Sequence, residues 1–351
     1  MSKVIMVGCD LHDANLMLML GDGPGNSLKR CFRNCPERRS AMLTWLKQFA
    51  AKAAADRIVF AYEASCQGFG LYDELRQAGI ECYVIAPTHL PKTAKCRKNK
   101  TDEKDAMKLL EMLRGHVLGG NKLPAVWVPN HQTRQDREIV RARLDARDKA
   151  SAVKTQIVSL LKRNAVRAPA GCTRRWTRSY QAWLGEVALP LGMRLHLDSL
   201  LRQLHALEEE VHALDQALKD LSGQPRYAAV VRALTSLSGV GLLTAMVFLT
   251  EVGQMSRFAN RRKLAAYLGL APSSHASGQR SDRQGHITRQ GPARVRRALC
   301  QAVWIQIRHD PAARAAHERI ARGSKQRRKI ATVALMRRLA VRLWHMAKQA
   351  T

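Results

Sequence analysis

Four acidic residues are spaced so that they could share one divalent metal site. Asp10 ends the first apolar run of the chain, and Glu63 lies just past a later apolar run. If these runs form neighbouring strands, both carboxylates project from the same end of one sheet. Asp102 and Asp105 are three residues apart at a predicted helix start, so they share a face.

Such a group suits phosphoryl transfer. Converging carboxylates repel one another unless cations hold them together, and hard oxygen ligands suit Mg²⁺ or Mn²⁺. Two such ions about 4 Å apart can stabilise both the attacking and the leaving oxygen. Each residue alone has an ordinary explanation: Asp102 as a helix N-cap, Asp105 as a partner of Lys108, Glu63 in a loop, Asp10 at a strand end. Their order along the chain, however, suits a ribonuclease-H-like sheet.

The secondary structure predicted around these residues follows an α/β order. Apolar runs and alternation predict strands, and apolar residues at helical spacing predict helices. The predicted strands are residues 4–8, 15–20, 28–34, 57–61 and 81–86, and the predicted helices are residues 36–50, 70–78 and 102–114. Gly119, Gly120, Pro124 and Pro129 then break the pattern, so we predict a metal-binding domain over residues 1–122.

A helical arm is predicted over residues 123–225. Residues 131–167 are charged and helix-prone, and further on apolar residues step alternately by four and three, as in the seam of a coiled coil. The seam consists of Met193, Leu197, Leu200, Leu204, Leu207, Val211, Leu214, Leu218 and Leu221. The alternative is an amphipathic helix packed inside one domain.

The remainder, residues 226–351, is predicted to be mainly helical and to contact phosphates. The chain carries 59 Lys and Arg against 28 Asp and Glu, a formal charge of +31, which favours nucleic acid as partner. Residues 280–329 alone contain 14 basic and three acidic residues. In the segment LSGVG, Gly239 and Gly241 could form a helix-hairpin-helix element that approaches a phosphate; a tight helix-helix turn is the alternative.

Other compartments and partners are disfavoured by the sequence. It begins without a secretory signal, and its longest apolar run is shorter than the roughly 20 residues that span a bilayer. The eight cysteines include no C-x-x-C pair, which favours reduced thiols. We therefore expect a soluble cytoplasmic protein, associated with the bacterial nucleoid and not with a membrane.

Three motifs resemble those of a known family. The segments are VGCDLH around Asp10, AYEAS around Glu63, and KNKTDEKDA around Asp102 and Asp105. They are similar to the DEDD transposases of the insertion-sequence one-hundred-ten family, to which Piv-like DNA invertases are related. The resemblance implies a RuvC-like N-terminal domain with these four residues as metal ligands. Cys9 departs from the aliphatic residue usual there, which should affect packing rather than metal chemistry.

The resemblance continues through a C-terminal segment that includes LGLAPSSHASGQR and the later RRAL. It implies a nucleophilic serine, and the matching position is Ser277, where Arg280 and Arg283 could stabilise charge on phosphorus. Composition alone leaves the neighbouring serines open, namely Ser273, Ser274 and Ser281. The arginines of this region predicted to contact nucleic acid are Arg280, Arg283, Arg289, Arg294, Arg296 and Arg297.

The family resemblance also implies an activity and its partners. It implies a recombinase that joins donor and target DNA through a covalent serine-phosphate link, guided by a structured noncoding bridge RNA. It further implies an oligomer, and we expect a dimer that pairs into a tetramer on DNA, with the heptad seam as the subunit contact. Two alternatives remain open: a RuvC-like junction nuclease without a serine nucleophile, and an architectural nucleic-acid-binding protein with an inactive site.

Overall fold

The computed structural model of the chain describes residues 3–87, 101–172, 174–274 and 284–350. Its contacts divide the chain into two compact units, Met1–Val128 and Pro129–Thr351. The division into 1–122, 123–225 and 226–351 stays a prediction, but the long helices of the predicted arm lie in the second unit. Each unit has its own hydrophobic core.

The first unit is built on a mixed sheet of five strands in the order β3-β2-β1-β4-β5. The strands are β1 Val4–Leu11, β2 Asn15–Gly21, β3 Leu28–Arg33, β4 Arg57–Glu63 and β5 Glu81–Ile85. The helices are α1 Pro36–Lys52, α2 Gly70–Gln77 and α3 Asp102–Val117. β1 pairs antiparallel with β2 and parallel with β4, and β5 adds parallel to β4. The predicted α/β order is confirmed.

Alternation along the central strands separates two cores. In β1, Ile5, Val7 and Cys9 face a core that includes residues of α1 and α2, because successive side chains point to opposite sides of a sheet. Val4 and Met6 face the other core, which α3 covers. Burial raises the pKa of the Cys9 thiol well above its usual value, so this side chain is a neutral packing residue.

Gly8 sets how closely α3 approaches the sheet. A Cβ atom on Gly8 would lie 2.2 Å from the carbonyl oxygen of Ala106 and 2.4 Å from the amide nitrogen of Leu110. The helix backbone therefore rests directly on β1, where no side chain larger than hydrogen fits. Two residues further along β1 and on the same face lies Asp10, so this contact also places the start of α3 beside that carboxylate.

The second unit is largely helical. Its helices are α4 His131–Arg163, α5 Arg178–Glu186, α6 Leu191–Gly223, α7 Pro225–Thr235, α8 Leu242–Val252, α9 Arg261–Tyr267, α10 Ala293–His309, α11 Pro311–Ala321 and α12 Arg328–Gln349. A small antiparallel pair of strands, β6 Pro272–Ser274 and β7 Gln284–Ile287, accompanies them. None of the helices within these described ranges is long and apolar enough to cross a bilayer.

The long helices α4 and α6 pack against each other as an antiparallel pair. Arg143 binds Asp215 at 2.7 Å, and Lys154, further along α4, binds Glu208, earlier on α6, at 2.6 Å. Residue numbers increase along α4 from the first ion pair to the second, while they decrease along α6, so the two helices run in opposite directions. The predicted arm is thus a hairpin of two helices from the same chain.

The heptad seam of α6 is used inside the chain. Leu197, Leu200 and Leu204 are buried in a core with α4 and α5 residues, while Leu218 and Leu221 join the main core of the second unit. These leucines therefore belong to an amphipathic helix packed inside one domain, which was the alternative to an intermolecular coiled coil. Since the same chain covers them, they give no support to the predicted subunit contact along the seam.

Buried ion pairs tie α4 to the apolar core. Glu251, at the end of the buried helix α8, accepts hydrogen bonds from Arg141 at 2.8 and 3.2 Å. On the previous turn of α4, buried Asp136 accepts from Arg226 at 2.8 Å and from Tyr227 at 2.8 Å. A carboxylate buried without such partners would be strongly destabilising, so these contacts fix the positions of α7 and α8 on α4.

We predict that Gly8→Ala destabilises the first unit. The added methyl group must displace α3 or β1, which costs about 3 kcal/mol. Amide hydrogen exchange in β1 and α3, followed by mass spectrometry, should therefore become about 100-fold faster. Gly23→Ala is the matched control, because a Cβ atom there meets nothing within 4 Å. Equal protection of β1 and α3 in the wild type and Gly8→Ala would contradict the close contact.

Candidate active site

Asp10 and Glu63 lie side by side at one edge of the sheet. Cys9 pairs with Tyr62 in the parallel ladder of β1 and β4, so the next residues along the two strands are Asp10 and Glu63. Both belong to the alternating set that faces α3, as do Met6 in β1 and Ala61 in β4. The sequence-based prediction that these two carboxylates share one end of a sheet is therefore confirmed in its backbone placement.

Asp102 and Asp105 occupy the first turn of α3, over the same face of the sheet. The N-cap of α3 is Thr101, whose hydroxyl accepts a hydrogen bond from the amide of Lys104, so the alternative of Asp102 as N-cap is wrong. Asp105 binds the ammonium of Lys108 at 2.6 Å, as its alternative explanation predicted. The partial positive charge of the helix N-terminus also favours carboxylates in this turn.

His12 completes the group and was missed by the sequence analysis. Its Nε2 atom lies 3.1 Å from Oδ2 of Asp10 and 3.4 Å from Oδ1 of Asp102. Possible ligand atoms of these three residues all lie within 4.8 Å of one another. The D-x-H spacing was the available signal: it places a nitrogen donor just past the strand that carries the first carboxylate.

The donor atoms fit a divalent cation. Asp10 is nearly buried, at 9% exposure, whereas the Asp102 and His12 side chains are about half exposed, at 53% and 49%. A cation held by one buried and two half-exposed residues would be accessible from solvent, and therefore to a substrate oxygen. Carboxylate oxygens suit Mg²⁺ and Mn²⁺, and imidazole is a common ligand of transition metals.

The predicted C-terminal nucleophile is not described by the structure. Ser277, Arg280 and Arg283 lie outside the described residues, and their roles stay predictions. Described residues flank this segment: β6 ends at Ser274, and β7 begins at Gln284.

The predicted arginines on α10 contact other parts of the chain. Arg294 binds Asp145 at 3.0 Å, and Arg297 binds Asp148 at 2.7 Å, both on α4. Arg296 donates to three backbone carbonyls, of Leu268, Gln290 and Gly291. Burial, and then the charge of Arg289, lower the pKa of the Arg296 guanidinium. These contacts give Arg296 a structural role, whereas Arg294 and Arg297 remain partly exposed in pairs that a phosphate could compete for.

The two glycines between α7 and α8 differ in their surroundings. Gly239 has φ of +76°, and a Cβ atom there would lie 2.5 Å from the carbonyl oxygen of Ala302 on α10. Its missing side chain is therefore needed for packing between helices. Gly241 is the N-cap of α8, and a Cβ atom there would meet nothing within 4 Å. Of the two, Gly241 is the one that leaves space for a phosphate.

Comparisons with known proteins agree with this arrangement. Residues 7–165 match a family model for DEDD transposases of the IS110 type, described as Transposase, and residues 231–318 match the Transposase IS116/IS110/IS902 family. A putative transposase of Sinorhizobium fredii is 33% identical over 298 residues, covering 85% of this chain and 70% of that protein.

Two further relatives extend the comparison. A transposase for insertion sequence element IS1533 of Leptospira borgpetersenii is 24% identical over 307 residues, covering 87% of this chain and 86% of that protein. The pilin gene-inverting protein of Moraxella bovis is 33% identical over 107 residues, 30% of this chain and 33% of that protein.

Together, the sheet-borne acidic residues and these similarities define a transposase, an enzyme that cleaves DNA strands and transfers them. Within that class, the chain belongs to the IS110 family. The class accounts for the positive charge, because its substrate is a polyanion.

We predict that His12 is a ligand of the bound cation. Mn²⁺ bound to the wild type should show ¹⁴N coupling from imidazole in pulsed electron paramagnetic resonance. His12→Ala should lose this coupling and bind Mn²⁺ about tenfold more weakly, since one ligand is removed. His131→Ala, which changes an exposed histidine on α4, should retain both properties. Retained ¹⁴N coupling in His12→Ala would show that this imidazole is not a ligand.

Proposed function

We propose that the chain is a site-specific recombinase of an insertion sequence, in which a RuvC-like metal domain and a serine nucleophile act together on DNA. One observation carries the proposal: Asp10 and Glu63 lie at the same end of two adjacent parallel strands, on the face where α3 brings Asp102 and Asp105. Mg²⁺, or Mn²⁺ in its place, is the proposed cofactor.

The acidic residues would hold the cation at the fixed edge of the sheet. Asp10 and Glu63 are anchored by strands, and Asp102 and Asp105 by the first turn of α3. When bound, the cation supplies positive charge beside the phosphate oxygens on which negative charge develops. The role of the protein is to keep these ligands in place before DNA arrives, which lowers the reorganisation needed during reaction.

Ser277 is the proposed nucleophile. Its Oγ atom would form a bond to phosphorus while the bond from phosphorus to a deoxyribose oxygen breaks. The hydroxyl proton passes to a base or to solvent, and the leaving oxygen takes up a proton. Attack by a hydroxyl of the second DNA strand on the serine-phosphate link reverses these changes and restores the serine. Arg280 and Arg283 would stabilise the charge on the phosphate.

A structured bridge RNA is the proposed source of sequence specificity. A protein that leaves sequence choice to base pairing can bind through backbone phosphates, and the formal charge of +31 supports such a mode. The protein would bind donor DNA, target DNA and this RNA, as a dimer that pairs into a tetramer in the cytoplasm near the nucleoid.

A metal-dependent junction nuclease is the second candidate. It is favoured by the fact that all four carboxylates belong to the first unit, so hydrolysis by an activated water would need no residue from the second. The two candidates differ in whether protein and DNA become covalently joined.

We predict a covalent adduct between Ser277 and DNA. Labelled DNA carrying the insertion-sequence ends should be trapped on the wild-type protein after denaturation with detergent. Ser277→Ala should form no adduct, since its methyl group cannot bond to phosphorus, whereas Ser273→Ala and Ser281→Ala should form it normally.

The same assay separates the roles of the two sites. Asp105→Asn should bind DNA with an affinity within about threefold of the wild type but lose strand exchange, because one negative ligand is gone. If Ser277→Ala cuts DNA at the wild-type rate, the junction nuclease is correct and the covalent mechanism is wrong.

We also predict that a single RNA species copurifies with the protein. The chain should be expressed from its insertion sequence with the native flanking DNA, and bound RNA should be sequenced after nuclease trimming. One structured RNA encoded beside the gene, with segments complementary to both DNA partners, is the expected result. Recovery of random cellular RNA alone would contradict guidance by RNA.

A further inference from the structure

A large groove in the second unit is lined by α9, β6, β7 and α12. Its volume is about 1650 Å³. Pockets for small molecules measure about 300–1,000 Å³, so this groove is larger than such ligands require. Its size fits a segment of a polymer. The residues that line the groove belong to the second unit, whereas the acidic group described above belongs to the first.

One part of the groove is a cationic surface of α12. Arg337, Arg338 and Arg342 line it, together with Lys329 near the helix start. Arg338 and Arg342 are four residues apart and therefore lie on one side of the helix. Both are exposed, so their guanidinium groups are accessible to a ligand.

Three further cations come from the facing elements. Arg261 and Arg262 begin α9, and Arg289 follows β7. Arg289 has φ of +55°, an unusual value for a residue other than glycine. Two close backbone contacts on either side hold Arg289 in this conformation. A Cβ atom added to Gly269 would lie 2.2 Å from the carbonyl oxygen of Gln290, and one added to Gly291 would lie 1.9 Å from the carbonyl oxygen of Tyr267. The position of this arginine is thus fixed by the fold.

Within the described part of the chain, the charges around the groove have no neutralising partner. Over the described residues, no carboxylate lines the groove, and none of these seven cations forms an ion pair. Elsewhere in the same unit arginines are paired, as Arg294 is with Asp145 and Arg297 with Asp148. Like charges around one space repel each other, so the groove favours a polyanion.

Apolar side chains lie among these cations. Leu270 and Ile287 line the groove from one set of elements, and Ile330 and Val333 from α12, with Ile330 60% exposed. A duplex presents its phosphates outward and keeps its base faces stacked, so its bases cannot pack on these apolar side chains. A single strand offers both its phosphates and unstacked bases, and base faces pack on apolar groups and guanidinium planes.

We propose that this groove binds single-stranded nucleic acid, with phosphates on the arginines and bases on the aliphatic side chains. The inference rests on the proposed function, since recombination guided by RNA produces single-stranded segments. The strand is either an unpaired part of the guide RNA or a DNA strand displaced during exchange. Both share the chemistry that the groove recognises.

The test measures binding of the full chain to fluorescent single strands of about twelve nucleotides, as oligo-dT and oligo-rU, by anisotropy. The triple variant Arg337→Gln/Arg338→Gln/Arg342→Gln should bind at least about tenfold more weakly at 0.1 M salt. For this variant, the slope of the logarithm of the binding constant against the logarithm of the salt concentration should be less steep by about 2. The reason is that about 0.7 counterion is released per phosphate contact, and the variant removes three such contacts. Ile330→Ser should weaken binding about threefold without changing that slope, because it removes no charge.

The matched control is Arg147→Gln/Lys149→Gln/Arg202→Gln, which removes the same charge from exposed residues of α4 and α6 outside the groove. It should bind within about twofold of the wild type. Thermal unfolding followed by circular dichroism checks that every variant is folded. A stronger effect on oligo-rU assigns the groove to guide RNA, and a stronger effect on oligo-dT assigns it to displaced DNA.

Three results would overturn the inference. The first is that the control triple variant weakens binding of the single strand as much as the groove triple variant does. The second is that the groove triple variant loses more affinity for a duplex of the same length than for the single strand, and the third is that it loses affinity for an acidic amphipathic peptide but not for the single strand. Asp10→Asn should bind the single strand normally. Loss of recombination together with retained binding therefore reports on the proposed mechanism and not on the groove.

Discussion

The contact between α3 and β1 at Gly8 determines the geometry of the acidic group. Asp10 comes from a strand that is hydrogen-bonded on both sides, whereas Asp102 comes from the first turn of a helix, and the two elements are far apart in sequence. Their carboxylates meet around His12 only because the helix backbone rests on the strand. The position of Glu63 follows from the parallel pairing of β4 with β1, so sheet and helix each contribute part of the group.

The second unit treats its charged residues in two different ways. Within its core, Glu251 accepts hydrogen bonds from Arg141, and Asp136 accepts from Arg226 and Tyr227, so that buried charge is compensated within the chain. Burial and the neighbouring carboxylate raise the pKa of the Tyr227 hydroxyl, which therefore stays a hydrogen-bond donor. Around the groove, by contrast, the cations form no ion pair with the described residues, and we infer that they bind a ligand. Ion pairs in the core thus hold the helices together, whereas the cations of the groove contact nucleic acid.

Local patterns in the sequence predicted the elements of the first unit well. Alternation and short apolar runs give strands wherever one or both faces are buried, and Asp10 and Glu63 could be placed at strand ends without knowing the pairing. The same reasoning missed His12, because the D-x-H spacing alone does not distinguish a ligand from an ordinary histidine that follows a strand. Its importance depends on Asp102, which reaches it only through folding.

Contacts between distant segments explain the other differences. The leucines of α6 have the spacing of a coiled coil, but spacing cannot tell whether the partner helix belongs to the same chain, and here it is α4. The groove combines residues of α9, β7 and α12, so neither its apolar lining nor its charge is visible in any one segment. The number of basic residues predicted an anionic partner. Whether that partner is a single strand or a duplex could be inferred only from how the fold arranges the basic and apolar residues.

The cations around the groove, which form no ion pair with the residues that the structure describes, also affect the folding equilibrium of the protein. Mutual repulsion raises the free energy of the folded chain, and this energy is released when a polyanion or added salt screens the charges. By linkage, a ligand that binds only the folded state stabilises it, so unfolding and release of the nucleic acid oppose each other. The ligand-free protein is then less stable towards unfolding than its complex with nucleic acid, by an amount that grows with the concentration and affinity of that ligand.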